Sequence, residues 1–150
     1  MRTHRHQAGV MLIEALIGIL IFSFGILALL GMQGAAMKNT TDAKYRSEAA
    51  FLATQIAGQM WVDDKDKLAR YNTADPTPYL PRDRWVTRVT NLLPGIATGT
   101  APAPQIQVGP DPVAGLGDRE VRVQVQWLQP GETQVRQVII LNHIHAGDGA

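Results

Sequence analysis

HQAGVMLIEALIGILIFSFGILALLGMQ, residues 6–33, sets the architecture of this chain. Between positions 10 and 32 only two side chains are polar, Ser23 and Glu14, and Glu14 can carry a full charge. As a helix those 23 residues would measure roughly 34 Å, against a hydrocarbon core of about 30 Å, so the run is long enough to cross a bilayer. The leader before it, residues 1–9, holds Arg2 and Arg5 and no acid. Basic residues flanking a span stay on the cytoplasmic side, which sends the rest of the chain outside. A secretory signal would instead have about 7 to 15 apolar residues ahead of a small-residue site. Gly34 and Ala36 mimic such a site, but the run is longer and contains an acid.

Glu14 is the anomaly. An ionised carboxylate at mid-bilayer costs about 3 kcal/mol on insertion scales, and less near the interface, so such a group is usually paired. No Lys, Arg or His lies in the run, and His6 is too far along a helix to meet Glu14 side by side. Cleavage after Gly9 would create a new α-amine at Val10, about 6 Å up the same helix, and the amine of a neighbouring chain could approach more closely. The alternative is an acid at the headgroup boundary, solvated by water.

These residues resemble the amino terminus of type IV pilins: a short basic leader ending in Gly, an apolar run, and Glu as the fifth residue after the cut. The segments LIEAL, ILALLGMQ and RSEAAFLATQIAGQM are similar to those of PilV-type minor pilins. The resemblance covers about the first 60 residues, and the rest only in outline. It implies cleavage between Gly9 and Val10 by a prepilin peptidase, N-methylation of Val10, and a role for Glu14 in recruiting the terminus of an adjacent subunit. Its implied partners are other major and minor pilins, the inner-membrane assembly machinery and membrane lipid. Its implied location is the bacterial inner membrane, single-pass with the carboxy-terminal domain in the periplasm, and then the pilus itself. Adhesion and twitching motility are implied only as properties of such filaments. Two departures are Val10, where Phe is usual, and Gly31, where major pilins have a proline. Gly31 and Gly34 still permit local unwinding, since each weakens a helix interior by about 1 kcal/mol relative to alanine. A type II secretion pseudopilin shares leader, Glu and helix, and stays open as an alternative.

Past the run, no proline occurs before Pro76, and Tyr45, Ala49, Leu52, Ile56 and Met60 recur at helical spacing. One helix of about 50 residues is expected, apolar all round at first and amphipathic over its second part, residues 33–62. The stretch from Asp63 to Pro81, with DDKDK and three prolines, reads as loop. A short helix is expected over 82–93, with Trp85, Val89, Leu92 and Leu93 on one side, and a flexible surface segment from Gly95 to Pro104. Strands are expected at about 105–108, 119–128 and 134–142. In the second, Val121, Val123, Val125 and Trp127 alternate with polar residues, and Pro130-Gly131 suits a type II turn. The fold class is therefore α+β and pilin-like: a long amino-terminal helix on a small carboxy-terminal antiparallel sheet. Domains follow as leader 1–9, membrane and assembly helix 10–32, and extracytoplasmic domain 33–150.

The 150 residues leave room for one small domain beyond the helix, and the formal charge of +1 is more than covered by Arg2 and Arg5. No large basic surface advertises nucleic acid. The absence of cysteine excludes thiol catalysis, cysteine-bound zinc and disulfides, including the disulfide common in the pilin carboxy-terminal region. His143 and His145 form an H-x-H pair with no third ligand nearby, and Asp63, Asp64 and Asp66 lack the glycine and final glutamate of a calcium loop. No catalytic constellation is legible, so neither an enzyme nor a cofactor is expected. Arg82, Arg84 and Arg88, near Trp85 and Tyr79, are the one base-and-aromatic cluster outside the membrane, a candidate contact for single-stranded DNA in natural transformation. The competing reading is a solvated helix face with its tryptophan inward.

Overall fold

The computed structural model describes residues 8–109 and 119–144. A 55-residue helix, α1 (Ala8–Val62), is followed by a 3-10 helix (Lys65–Tyr71), α2 (Leu80–Leu92), and strands β1 (Gln105–Val108), β2 (Arg119–Trp127) and β3 (Arg136–Ile144). The strands form one antiparallel sheet in the order β1-β2-β3, so the expected α+β layout is observed. The chain divides into two units, 1–41 and 42–150.

In the first unit the helix is almost wholly apolar from Val10 to Met32, and its large apolar side chains are exposed. It is long and apolar enough to cross a membrane. It runs without interruption through Gly31 and Gly34. Thr40 and Thr41 donate their hydroxyls to the carbonyls of Ala36 and Met37 one turn back, which satisfies both side chains within the helix.

In the second unit the remainder of α1 lays its apolar stripe into the core. Ala49, Leu52, Ile56 and Met60 are wholly buried and Tyr45 packs at the edge, as the spacing required. Lys65 ends the helix by donating from Nζ to the Trp61 carbonyl at 2.6 Å, placing a cation at the negative end of the helix dipole. The inward residues of β2, Val121, Val123, Val125 and Trp127, close the core from the other side. Pro130 and Gly131 make the turn between β2 and β3, with the Glu132 N–H donating to the Gln129 carbonyl and Gly131 at φ +79°. Thr73 seals the free edge of β1: its N–H and hydroxyl both donate to the Ile106 carbonyl, and its Oγ1 accepts the Ile106 N–H.

The bounds of α2, β2 and β3 differ from the expected ones. The short helix starts at Leu80 and not at 82, because Pro81 sits in its first turn, where the missing N–H costs nothing. Its Leu92 is 41 % exposed, and the inward position is taken by Leu93 just beyond the helix. The last strand is Arg136–Ile144, two residues later than 134–142, because the chain stays irregular from Glu132 to Val135 after the turn. The preceding strand ends at Trp127. Within the surface segment after α2, Gly95 to Ala101 forms a turn anchored to the core: Ile96 and Ala101 are buried, and the Gly95 carbonyl accepts from Thr100 and Ala101 N–H groups at 2.9 Å.

Candidate functional site

The residues singled out in the apolar run lie on the first turns of α1. The Gly9–Val10 bond falls at the start of the helix, and Glu14 lies one turn further, flanked by Met11, Leu12 and Ala15. Of the two polar side chains between 10 and 32, Ser23 is self-satisfied, donating its hydroxyl to the Ile19 carbonyl at 2.7 Å. Glu14 has no hydrogen-bond or ion-pair partner among the described residues, and every large apolar side chain around it is exposed. An acceptor-only group in such surroundings has to find a donor outside its own helix or stay at water. The leader arginines, Arg2 and Arg5, lie outside the described residues.

The arginine cluster separates into two environments. Arg82 is 6 % exposed, and its guanidinium donates to the carbonyls of Arg70, Asn72, Asp75 and Thr77 at 2.8–3.2 Å and to Asp83 Oδ1 at 2.8 Å. Each of its three nitrogens bonds within the fold, so Arg82 is built into the loop before α2 and does not share the open face of Arg84 and Arg88. Asp83 completes the arrangement by accepting the Tyr79 N–H at 2.9 Å, which caps α2. The Arg82 guanidinium holds the Asp83 carboxyl below its ordinary range. Arg84 and Arg88 are exposed on α2, and Trp85 between them is buried, its Nε1–H donating to the Leu52 carbonyl of α1 at 2.9 Å. Trp85 therefore offers no open face on which a base could stack.

Asp63 and Asp64, weighed above as cation ligands, are otherwise engaged. Asp63 Oδ2 accepts the hydroxyls of Tyr71 at 2.7 Å and Tyr79 at 2.5 Å, whose rings meet edge to face with centroids 4.9 Å apart. The Tyr79 hydroxyl, then that of Tyr71, pulls the Asp63 carboxyl below its usual value. Burial, then the bond to Asp63, pushes both phenols up. Asp64 caps the 3-10 helix through the Asp66 N–H and pairs with Lys67 at 3.4 Å. His143 is exposed on the outer face of β3, and His145 lies outside the described residues. Among the described residues no three metal-ligating side chains gather.

A polar network that joins α1 to the β2–β3 turn carries no signal in the sequence. Asp42 accepts from Gln129 Nε2 at 2.9 Å and from Arg136 Nη1 at 2.7 Å, and Arg136 also meets Glu132 at 3.2 Å. The bond to Glu132 is the main reason the Arg136 guanidinium binds its proton more tightly. Compared with known proteins, the chain matches no family model, no curated protein and no solved structure.

Proposed function

We propose that this chain is a minor subunit of a type IV pilus, a structural protein and not an enzyme. In this reading a prepilin peptidase cuts between Gly9 and Val10, Val10 is N-methylated, and the apolar helix holds the subunit in the inner membrane with its domain in the periplasm. Assembly then buries the 10–32 helix among the helices of other pilins. The observation that carries the reading is Glu14, the one polar side chain in the apolar run without a partner among the described residues. A charge so placed is costly alone, whereas an α-amine made by proteolysis would neutralise it and fix the axial register between subunits. The α+β domain, built on the amphipathic continuation of the same helix, supports the same layout.

Intact mass and amino-terminal sequencing of protein extracted from native membranes test this. A chain beginning at Val10 with a methylated amine supports the proposal. A functional protein that retains Met1 overturns it, and one that begins at Met37 points to a secretory signal.

A further inference from the structure

The strongest feature that the filament reading leaves unused is a groove of about 200 Å³ between α1 and α2. Gln55 and Gln59, one turn apart on α1, form one wall, and Arg84 and Arg88, one turn apart on α2, form the other. Leu80 and Pro81 supply apolar surface. No carboxylate lines the groove. Arg84 has no hydrogen bond or ion pair among the described residues, and Arg88 reaches only Gln55 Oε1, at a long 3.4 Å. Two like charges at this helical spacing repel one another, and an anion between them removes the repulsion.

Size and charge select among anions. Small-molecule sites usually enclose about 300–1,000 Å³, so this groove is nearer the size of one side chain. A nucleic-acid strand needs a track of cations and open ring faces. Here Arg82 is spent on backbone carbonyls, Trp85 is covered, and the whole chain carries a formal charge of only +1. We infer that the groove receives an aspartate or glutamate side chain of a neighbouring pilus subunit. Arg84 and Arg88 pair with its oxygens, and the Gln55 and Gln59 amides donate to the remaining lone pairs. That the acid arrives on another subunit rests on the filament reading; that the groove binds a carboxylate does not.

The test uses the full chain in lipid nanodiscs, with NMR detection of the Trp85 indole N–H and the arginine Nε–H groups. The probes are a blocked Ala-Glu-Glu-Ala peptide, its glutamine counterpart, inorganic phosphate and oligothymidine. The glutamate peptide is expected to shift the Trp85, Arg84 and Arg88 signals saturably, with the glutamine peptide at least about tenfold weaker. Arg84→Gln with Arg88→Gln should abolish the response while the other signals stay in place, and the double Lys variant, which keeps charge but not the planar fork, should fall between. Equal response to the two peptides, the absence of saturable shifts, or tighter binding of phosphate or oligothymidine than of the glutamate peptide would each overturn the inference. None of these readings depends on amino-terminal processing, so failure here is distinct from failure of the pilus proposal.

Discussion

The Asp42 carboxylate and the Arg136 guanidinium, 94 positions apart in sequence, meet at 2.7 Å. Both side chains are about one-third exposed or less, and Gln129 and Glu132 complete a small network around them. Isolated exposed pairs contribute about 0–1 kcal/mol, and a network of good geometry lies at the upper end. Arg136→Leu should therefore lower Tm by a few degrees at most, with a double-mutant cycle against Asp42→Asn returning a small favourable coupling. The coupling should shrink as salt is raised. A cycle that closes to zero at low salt would remove the network from the stabilising interactions.

Arg82 behaves differently, since it is buried and holds four loop carbonyls together. Arg82→Ala should cost about 3 kcal/mol or more, because the carbonyls lose a charged donor and some are left unsatisfied. Arg82→Lys should recover only part, as a single ammonium cannot span the set. Chemical denaturation of the full chain in detergent checks both. A loss below about 1 kcal/mol for the alanine variant would mean water replaces the guanidinium.

The Asp63 clamp on Tyr71 and Tyr79 predicts a stability window in pH. The folded Asp63 carboxyl titrates below its unfolded value, so its contribution is complete above about pH 4 and is lost as pH falls further. Both phenols titrate above their unfolded value near 10, so theirs is complete below about pH 10 and is lost as pH rises beyond it. Asp63→Asn should flatten the acid limb of a Tm-against-pH curve. An unchanged acid limb would exclude the clamp as its cause.

Two glycines with positive φ separate backbone strain from crowding. A Cβ at Gly95 (φ +87°) would come within 3.0 Å of the Leu128 Cβ and 3.1 Å of its carbonyl oxygen, whereas a Cβ at Gly131 (φ +79°) meets nothing within 4 Å. Gly131→Ala should cost about 1–2 kcal/mol, the left-handed penalty alone, and Gly95→Ala clearly more. Thermal melts of the pair give the comparison, and equal losses would show that the Leu128 segment yields without cost.

Glu14→Ala should leave the protein in the membrane, since the apolar run is lengthened, yet reduce its recovery in sheared surface filaments. Glu14→Gln should do the same, because it removes the charge and keeps the shape. Recovery equal to wild type for both variants would argue against pairing with an α-amine.

Much of this architecture is legible in the chain. The 3.6-residue spacing of Ala49, Leu52, Ile56 and Met60 and the two-residue alternation of β2 each leave one buried face, and both faces are where periodicity places them. Glu14 stands out for the same reason, as one charge in an otherwise uniform run. Arg82 does not, because a buried arginine and a solvated one look alike until the loop at 70–77 turns its carbonyls inward. The groove at Gln55, Gln59, Arg84 and Arg88 was equally hidden: its walls are about thirty positions apart and meet only when Trp85 docks on Leu52.

The contribution of α1 to the core also dictates when the domain can be completed. The stripe from Ala49 to Met60 leaves the ribosome well before Val138, Ile140 and Ile144, which cover part of the same core from the far end of the sheet. Non-local pairing of this kind closes slowly, since loop-closure entropy is spent before any contact rewards it. Packing of the core thus waits until β3 has been made, and the apolar face of α1 stays uncovered for the interval between emergence and closure.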